Sequence, residues 1–321
     1  MGSGEMSDTV RVGLAGVGTI ARIHLEVLAG FPDVSLDFTV DPRVADPPPF
    51  RGRTPSHYPE LGDALTRHQV DLVVIATPTT THADLATQVL TLTDARVLVE
   101  KPLAHDLAAL DRLRALDTAS AVADRLFVAH HFAFSPEVRW AASRLAENPE
   151  WGPVTEVTSA FYDPYILLGS RASASYVSSW LDSGVNQLST LIRFVELGRG
   201  ASTVEVDNGE SAWTVLPHRS RGQAGVTRLH SSWRTGSSSK KTTLRHAGSG
   251  VEIWADHTAM TALITQGRHL LGAYGNDGRT PRKIAHYRPL YESLLSDQPD
   301  QVLRLDTAAM IGEIQHAGRA Q

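Results

Sequence analysis

Three short groups of residues in this 321-residue chain have types and spacings that can do chemistry. The first is Gly16-Val17-Gly18-Thr19-Ile20-Ala21, a G-x-G-x-x-A set between an apolar run and a helical one. Its first Gly permits a tight turn and its second lets the backbone approach a pyrophosphate. The small sixth residue lets helix and strand pack closely, and the helix N-terminus faces the anion. Asp41 ends the next apolar run, about 20 residues on, where a carboxylate holds an adenosine ribose 2′-hydroxyl. The pattern therefore points to a dinucleotide, with Gly16, Gly18, Thr19 and Ile20 at the pyrophosphate and Asp41 at the ribose. Asp41 favours NAD, because a 2′-phosphate would face a carboxylate. Arg43, two residues on, leaves NADP as the alternative.

The second group is Glu100-Lys101-Pro102. Positive charge in this chain sits almost entirely on Arg, with Lys only at 101, 240, 241 and 283. A lone Lys in the first two-thirds of a chain that uses Arg by default suggests a specific task, the plain alternative being a surface ion pair with Glu100. The third group is Asp182 and Asn186, spaced i, i+4 so that both project from one helix face. Val185, Leu188, Ile192 and Val195 mark the buried face of that helix and leave Asp182 and Asn186 nearer a crevice. Oxidising a carbinol needs a hydride acceptor, a proton acceptor and donors that hold the developing alkoxide. An amine, a carboxylate and an amide supply the last two. The structural alternative for Asp182 is a helix N-cap.

The elements that must position these groups alternate in the first part of the chain. Apolar runs Val10–Ala15, Val34–Val40, Val70–Ala76, Arg96–Val99 and Leu126–Ala129 read as strands. Helical patterns Ile20–Ala29, Leu61–Arg67, His82–Leu92 and Leu107–Leu116 separate them, with Pro- and Arg-rich 43–59 as a loop. Strand-helix-strand repetition predicts a doubly wound parallel sheet. After about Pro136 the texture changes. A helix Glu137–Glu147 is followed by extended segments Val154–Tyr162, Ser202–Val206, Ser211–Leu216, Gly225–Trp233, Thr242–His246 and Val251–Trp254, interrupted by one helix near Gly184–Leu197. The last stretch, Pro281–Gly318, is helical. The expected fold is α/β: an N-terminal Rossmann domain over 9–135 and a C-terminal α+β domain with a mostly antiparallel sheet over 136–321. The final helices are free to pack back on the first domain, and residues 1–8 read as a disordered leader.

Composition narrows the function. A formal charge of −5 and no basic run interleaved with aromatics disfavour nucleic acid. Cysteine is absent, which removes disulfide and thiolate chemistry. No stretch approaches the ~18 apolar residues of a membrane span. The reading is a cytoplasmic protein with no membrane partner and no metal.

Ala76-Thr77-Pro78 with His82, Glu100-Lys101-Pro102 and Asp182-Ser183-Gly184-Val185-Asn186, together with the Gly-rich turn, resemble the glucose–fructose oxidoreductase/inositol dehydrogenase/MocA family. The likeness runs over essentially the whole chain. It implies that Lys101 reaches the reacting hydroxyl at the nicotinamide end, and that Thr77, Pro78, His82 and Glu100 border the cofactor, His82 as scaffold. Most members read D-x-G-x-H-x-x-D, whereas here Asn186 replaces His and Ser189 the last Asp. That resembles the galactose and arabinose 1-dehydrogenase branch, as do Ser232-Trp233-Arg234-Thr235 and His286-Tyr287-Arg288-Pro289-Leu290-Tyr291. His131 is similar in placement to that branch's sugar-contacting His. The segment 162–180, which should line the substrate pocket, departs from the branch, and Tyr162 and Asp163 open it.

The resemblance implies an NAD(P)-dependent dehydrogenase of a sugar or polyol, most nearly an aldose 1-dehydrogenase. Lys101 or Asp182 would take the hydroxyl proton as hydride leaves for nicotinamide. Asn186, His131 and Trp233 would hold neighbouring hydroxyls or stack on the ring. Two alternatives use the same residues: a keto-sugar reductase, nucleotide-linked or not, and a non-catalytic sensor of NAD and sugar. The family pairs open sheets between subunits, so a homodimer or homotetramer is expected.

Overall fold

The computed structural model describes residues 9–120, 122–169 and 177–317. The leader 1–8 and positions 170–176 of the divergent segment lie outside the described residues. The chain divides into two compact units. One runs to Ala129 and takes back Leu290–Ala308; the other is His130–Pro289 with the chain from Ala309 on.

The first unit alternates β1 (Val10–Ala15), α1 (Thr19–Leu28), β2 (Val34–Val40), β3 (Ser56–Tyr58), α2 (Leu61–Arg67), β4 (Leu72–Ile75), α3 (His82–Leu92), β5 (Arg96–Val99), α4 (Leu107–Ser120) and β6 (Leu126–Val128). Its six strands form one sheet in the order β3-β2-β1-β4-β5-β6, every neighbouring pair parallel. β4 is buried at all four positions. A parallel strand covered on both faces is apolar throughout, which is why Leu72–Ile75 reads as a continuous run rather than an alternation. β3 lies inside the segment expected to be a loop. Three residues cannot show a period, and tertiary bonds hold the strand instead. Asp41 N donates to Tyr58 O, and the His57 ring bonds both Thr39 Oγ1 (2.8 Å) and the Val44 carbonyl (2.6 Å).

The second unit contains α5 (Pro136–Glu147), β7 (Val154–Tyr162), a π-helical turn Trp180–Gly184, α6 (Val185–Leu191), β8 (Glu196–Leu197), β9 (Ser202–Val206), β10 (Ser211–Ser220), β11 (Gln223–Ser232), β12 (Ser239–His246), β13 (Val251–Asp256), β14 (Thr261–Gln266) and β15 (His269–Tyr274). These strands make a nine-stranded sheet ordered β15-β14-β13-β12-β7-β11-β10-β8, with β9 on β10. It is antiparallel except where β11 runs parallel to β7. β14 and β15 extend the sheet beyond the expected strands. β15 carries mostly exposed side chains on the sheet edge, so burial leaves little pattern in its sequence. The C-terminal stretch splits into α7 (Arg282–Leu294) and α8 (Leu305–His316).

The core of this unit packs α5 and α6 against one sheet face, with Val138, Trp180, Leu188 and Leu191 meeting Val157, Leu229, Leu244 and Ile253. On the other face Trp213, Trp254 and Leu263 stay 45–48% exposed. The expected helix Gly184–Leu197 is a correction. Its α-helical part ends at Leu191, and every residue from Val185 to Leu191 is buried. A helix enclosed on all sides has no open face, so the apolar stripe did not set Asn186 apart. Among the described residues no helix is long and apolar enough to cross a membrane, and no group of three or more His, Asp or Glu forms a metal cage.

Candidate functional site

In the first unit three turns leave the carboxyl ends of β1, β4 and β5, which are successive strands in the sheet. Open α/β sheets bind ligands at this edge, where strand order reverses beside β1. Gly16 has φ +88°, and a Cβ there would lie 2.6 Å from the Ala76 carbonyl oxygen, so only glycine fits. Gly18 is different. Its φ of −73° suits any residue, and a Cβ would meet nothing within 4 Å. Neither backbone nor packing requires glycine there, and the open space is a cradle that a side chain would begin to fill. The adjoining N-terminus of α1, Thr19 and Ile20 included, has no capping side chain and no acid in its first turn. An uncapped N-terminus beside an empty space suits a pyrophosphate.

Asp41 fastens this turn. Its Oδ2 accepts from Val17 N at 3.2 Å and its Oδ1 from Arg43 N at 2.9 Å. Two carboxylate oxygens offer about four acceptor positions, so lone pairs remain for a ribose diol. The Arg43 side chain is exposed, with Nε 3.9 Å from Asp41 Oδ1.

The next two turns are stapled together by His82. Its Nδ1 lies 2.8 Å from Pro102 O and its Nε2 2.9 Å from Thr77 O. Burial pushes the His82 pKa down, and the hydrogen bonds to those two carbonyls pull it back up. Thr77 also bonds Thr81 through their hydroxyls, which closes the turn at Pro78. Lys101 is half-buried and precedes a cis Pro102. Glu100 turns inward: Oε2 accepts from Lys101 N at 3.3 Å, and Oε1 lies 3.0 Å from His24 Nε2. His24 Nδ1 in turn lies 2.7 Å from the Tyr291 hydroxyl. Burial, reinforced by Glu100, holds the Tyr291 pKa well above 10, so the phenol keeps its proton; in the tautomer that donates Nε2–H to the Glu100 carboxylate, His24 Nδ1 accepts the Tyr291 O–H. Sequence reasoning missed His24, and it named Tyr291 only within the segment His286–Tyr291, not as a partner of this line. The available signal was a His in the apolar stripe Ala21, Leu25, Leu28 of α1.

In the second unit Asp182 sits in the π-helical turn, 4% exposed. The Asn186 amide donates to the Asp182 backbone carbonyl at 3.3 Å, so it is turned along its own helix. His131 is buried, stacked on Tyr287 at 4.8 Å, with Nδ1 3.1 Å from His286 Nδ1. Burial first, then Arg282 and Lys283, push the His286 pKa well below 6.5. Asp163 and Tyr162, adjacent in sequence, face opposite sides of the sheet. Asp163 pairs with Lys240 on the helix-covered side. The Tyr162 hydroxyl bonds His230 Nδ1 at 2.8 Å on the open face, where His230 stacks on Trp213. A cavity of about 510 Å³ there is lined by His230, Trp213, Arg228, Lys241 and Trp254. The structure therefore does not bring Tyr162 together with Asp163. Trp233 is 3% exposed, and its Nε1 has no hydrogen-bond partner among the described residues.

Residues 10–130 match the GFO/IDH/MocA model, described as an oxidoreductase family with an NAD-binding Rossmann fold. Over 157 residues the chain is 32% identical to an inositol 2-dehydrogenase of Rhizobium meliloti (strain 1021), covering 49% of this chain and 46% of that protein. The match thus spans about half the length of this relative. Among solved structures, the UDP-N-acetylglucosamine 3-dehydrogenase GnnA from Acidithiobacillus ferrooxidans superposes with TM-score 0.74 at 18% identity, over 97% of this chain and 96% of that one. GenD2 from gentamicin A biosynthesis, solved in complex with NAD, gives 0.74 at 20%, over 98% and 94%. At such identities these two structures show the shared fold. The Gly-rich, A-T-P and E-K-P turns on successive strands all lie within residues 10–130, the stretch that matches the GFO/IDH/MocA oxidoreductase model with its NAD-binding Rossmann fold.

Proposed function

We propose that this chain is an NAD-dependent dehydrogenase that oxidises a carbinol of a sugar or polyol, of the aldose 1-dehydrogenase kind. The observation that carries this reading is Lys101, held by the Glu100 and His82 bonds at the carboxyl edge of the same parallel sheet as the Gly-rich turn. The inositol 2-dehydrogenase relative supports a polyol. When bound, NAD supplies the hydride acceptor. The α1 N-terminus and Gly18 would hold its pyrophosphate, and Asp41 its ribose. Lys101 donates to the reacting hydroxyl and holds the alkoxide as it forms; Asp182 is the alternative proton acceptor. His131, Asp163 and Trp233 bind further hydroxyls.

The test is nicotinamide absorbance over a panel of aldoses, inositols and keto-sugars in both directions, repeated with Lys101 variants. Lys101→Met should lower turnover by roughly two or more orders of magnitude and leave NAD binding within a few-fold. Lys101→Arg should also be poor, because guanidinium cannot release its proton. An Arg variant with wild-type turnover would move proton transfer to Asp182. Faster keto-sugar reduction than aldose oxidation would favour the reductase, and NAD binding without turnover the sensor.

The assembly reading is a homodimer or homotetramer through the open sheet face. Exposed Trp213, Trp254 and Leu263 on one face support it. Sedimentation at micromolar concentration that found only a 34.8 kDa species would remove it.

A further inference from the structure

Lys240 is the second residue of β12 and is 5% exposed. A buried ammonium is costly unless it is paired and hydrogen-bonded. Here all three donors are used: Asp163 Oδ1 at 2.5 Å, Ser238 Oγ at 3.0 Å and Tyr162 O at 3.4 Å. Burial lowers the Lys240 pKa while Asp163 pulls it back up, and Arg282 and Asp182 are the other charges that act on it. A compact ammonium meets three separate acceptors, whereas a planar guanidinium presents its donors in one fixed fork. That accounts for Lys at this position in a chain that otherwise prefers Arg.

Asp163 is held on one side only. Oδ1 accepts from Lys240 and Ser238, and no described residue bonds Oδ2. Trp233 stands beside it. Tyr162 and Ser232 are partners in the parallel pair β7–β11, and Asp163 N donates to Ser232 O at 2.9 Å. Asp163 and Trp233 therefore leave adjacent strand ends together. Strand alternation, which sends Tyr162 to the open face, turns Asp163 to the side covered by the helices. Trp233 Nε1 is a buried donor with no partner among the described residues, and Asp163 Oδ2 is an acceptor that no described residue bonds. A buried donor such as Trp233 Nε1 is rarely left so without a ligand or water to complete it.

We propose that Lys240 is a positioning residue of the substrate pocket: it fixes Asp163 so that Oδ2 accepts from, and Trp233 Nε1 donates to, the hydroxyls of a neutral polyol. This rests on the dehydrogenase reading above. A hydroxyl both donates and accepts, so one hydroxyl or a vicinal pair completes both groups. A carboxylate or phosphate has nothing to donate to Asp163 and is repelled by it. The subsite therefore favours a neutral sugar or polyol over the corresponding sugar acid.

The experiment measures steady-state kinetics and calorimetric binding for a polyol or aldose substrate, its monodeoxy series and the matching sugar acid. It uses wild type, Trp233→Phe, Asp163→Asn and Lys240→Met. The Phe variant keeps the ring and so reports even where Lys240→Met fails to fold. Each variant should raise substrate KM roughly ten- to a hundredfold, the scale of a hydrogen bond to a charged or buried group. The values of kcat and of KM for NAD should stay within a few-fold. Wild type should discriminate against one deoxy position, and the variants should lose discrimination at that same position. Unchanged KM in the folded variants, a loss confined to kcat, or discrimination lost at different hydroxyls would overturn the proposal while the dehydrogenase reading stands. A wild type that binds NAD but no member of the panel would overturn both.

Discussion

The buried line Tyr291–His24–Glu100 allows a prediction with a worked magnitude. Tyr291 and His24 are fully buried and Glu100 is 6% exposed, so water does not readily replace a lost partner. Tyr291→Phe keeps the ring and removes the O–H that His24 Nδ1 accepts at 2.7 Å. An orphaned buried acceptor costs about 1–3 kcal/mol. His24→Leu should cost more, because it removes the Glu100 bond and leaves the Tyr291 hydroxyl without its acceptor. In the His24→Leu background Tyr291→Phe should cost almost nothing, since the hydroxyl has already lost its acceptor. Urea unfolding of the two single variants and the double variant gives the coupling. About 1–3 kcal/mol is expected, and additivity within about 0.5 kcal/mol would refute the reasoning. The pH dependence follows from the raised Tyr291 pKa. Above pH 10 the unfolded chain releases this proton and the folded chain keeps it. Stability present below pH 10 is therefore lost as pH rises toward the folded pKa. Tyr291→Phe should lack that alkaline component.

Two further outcomes follow from the geometry. Gly18→Ala should leave the melting temperature within about a degree, since its space is open and its φ ordinary, yet weaken NAD binding about tenfold or more by calorimetry; equal affinity would move the pyrophosphate elsewhere. On the acid side, burial holds His286 and His82 below the usual 6.5. The unfolded chain then takes up protons that the folded chain refuses, so stability present above pH 6.5 falls as pH drops below it. A urea midpoint that stays level from pH 7.5 to about 5.5 would contradict this, and a His286→Leu variant should show a shallower fall.

Much of the first unit was legible because its signals are local. Val10–Ala15 and Val70–Ala76, the latter containing β4, read as strands because sheets covered on both faces demand apolar runs. Gly16 was identifiable because a tight turn demands positive φ. The E-K-P and A-T-P turns stood out as short segments in fixed order. In the second unit, Thr- and Val-rich segments revealed most strands, but not β8, β14 or β15; the edge position of β15 leaves its side chains exposed.

What the tertiary structure decided was the pairing of polar groups. His24 and Tyr291 are 267 positions apart, and Lys240 and Asp163 are 77 apart, so no window of sequence joins them. The i, i+4 spacing of Asp182 and Asn186 did not reveal that the Asn186 amide donates to the Asp182 backbone carbonyl one turn back, a contact that only the folded helix shows. A strand or helix declares itself through the period at which neighbouring residues meet the core. A buried polar side chain must instead be satisfied by whatever donor or acceptor the fold brings to it, and that partner is fixed only once the chain is packed.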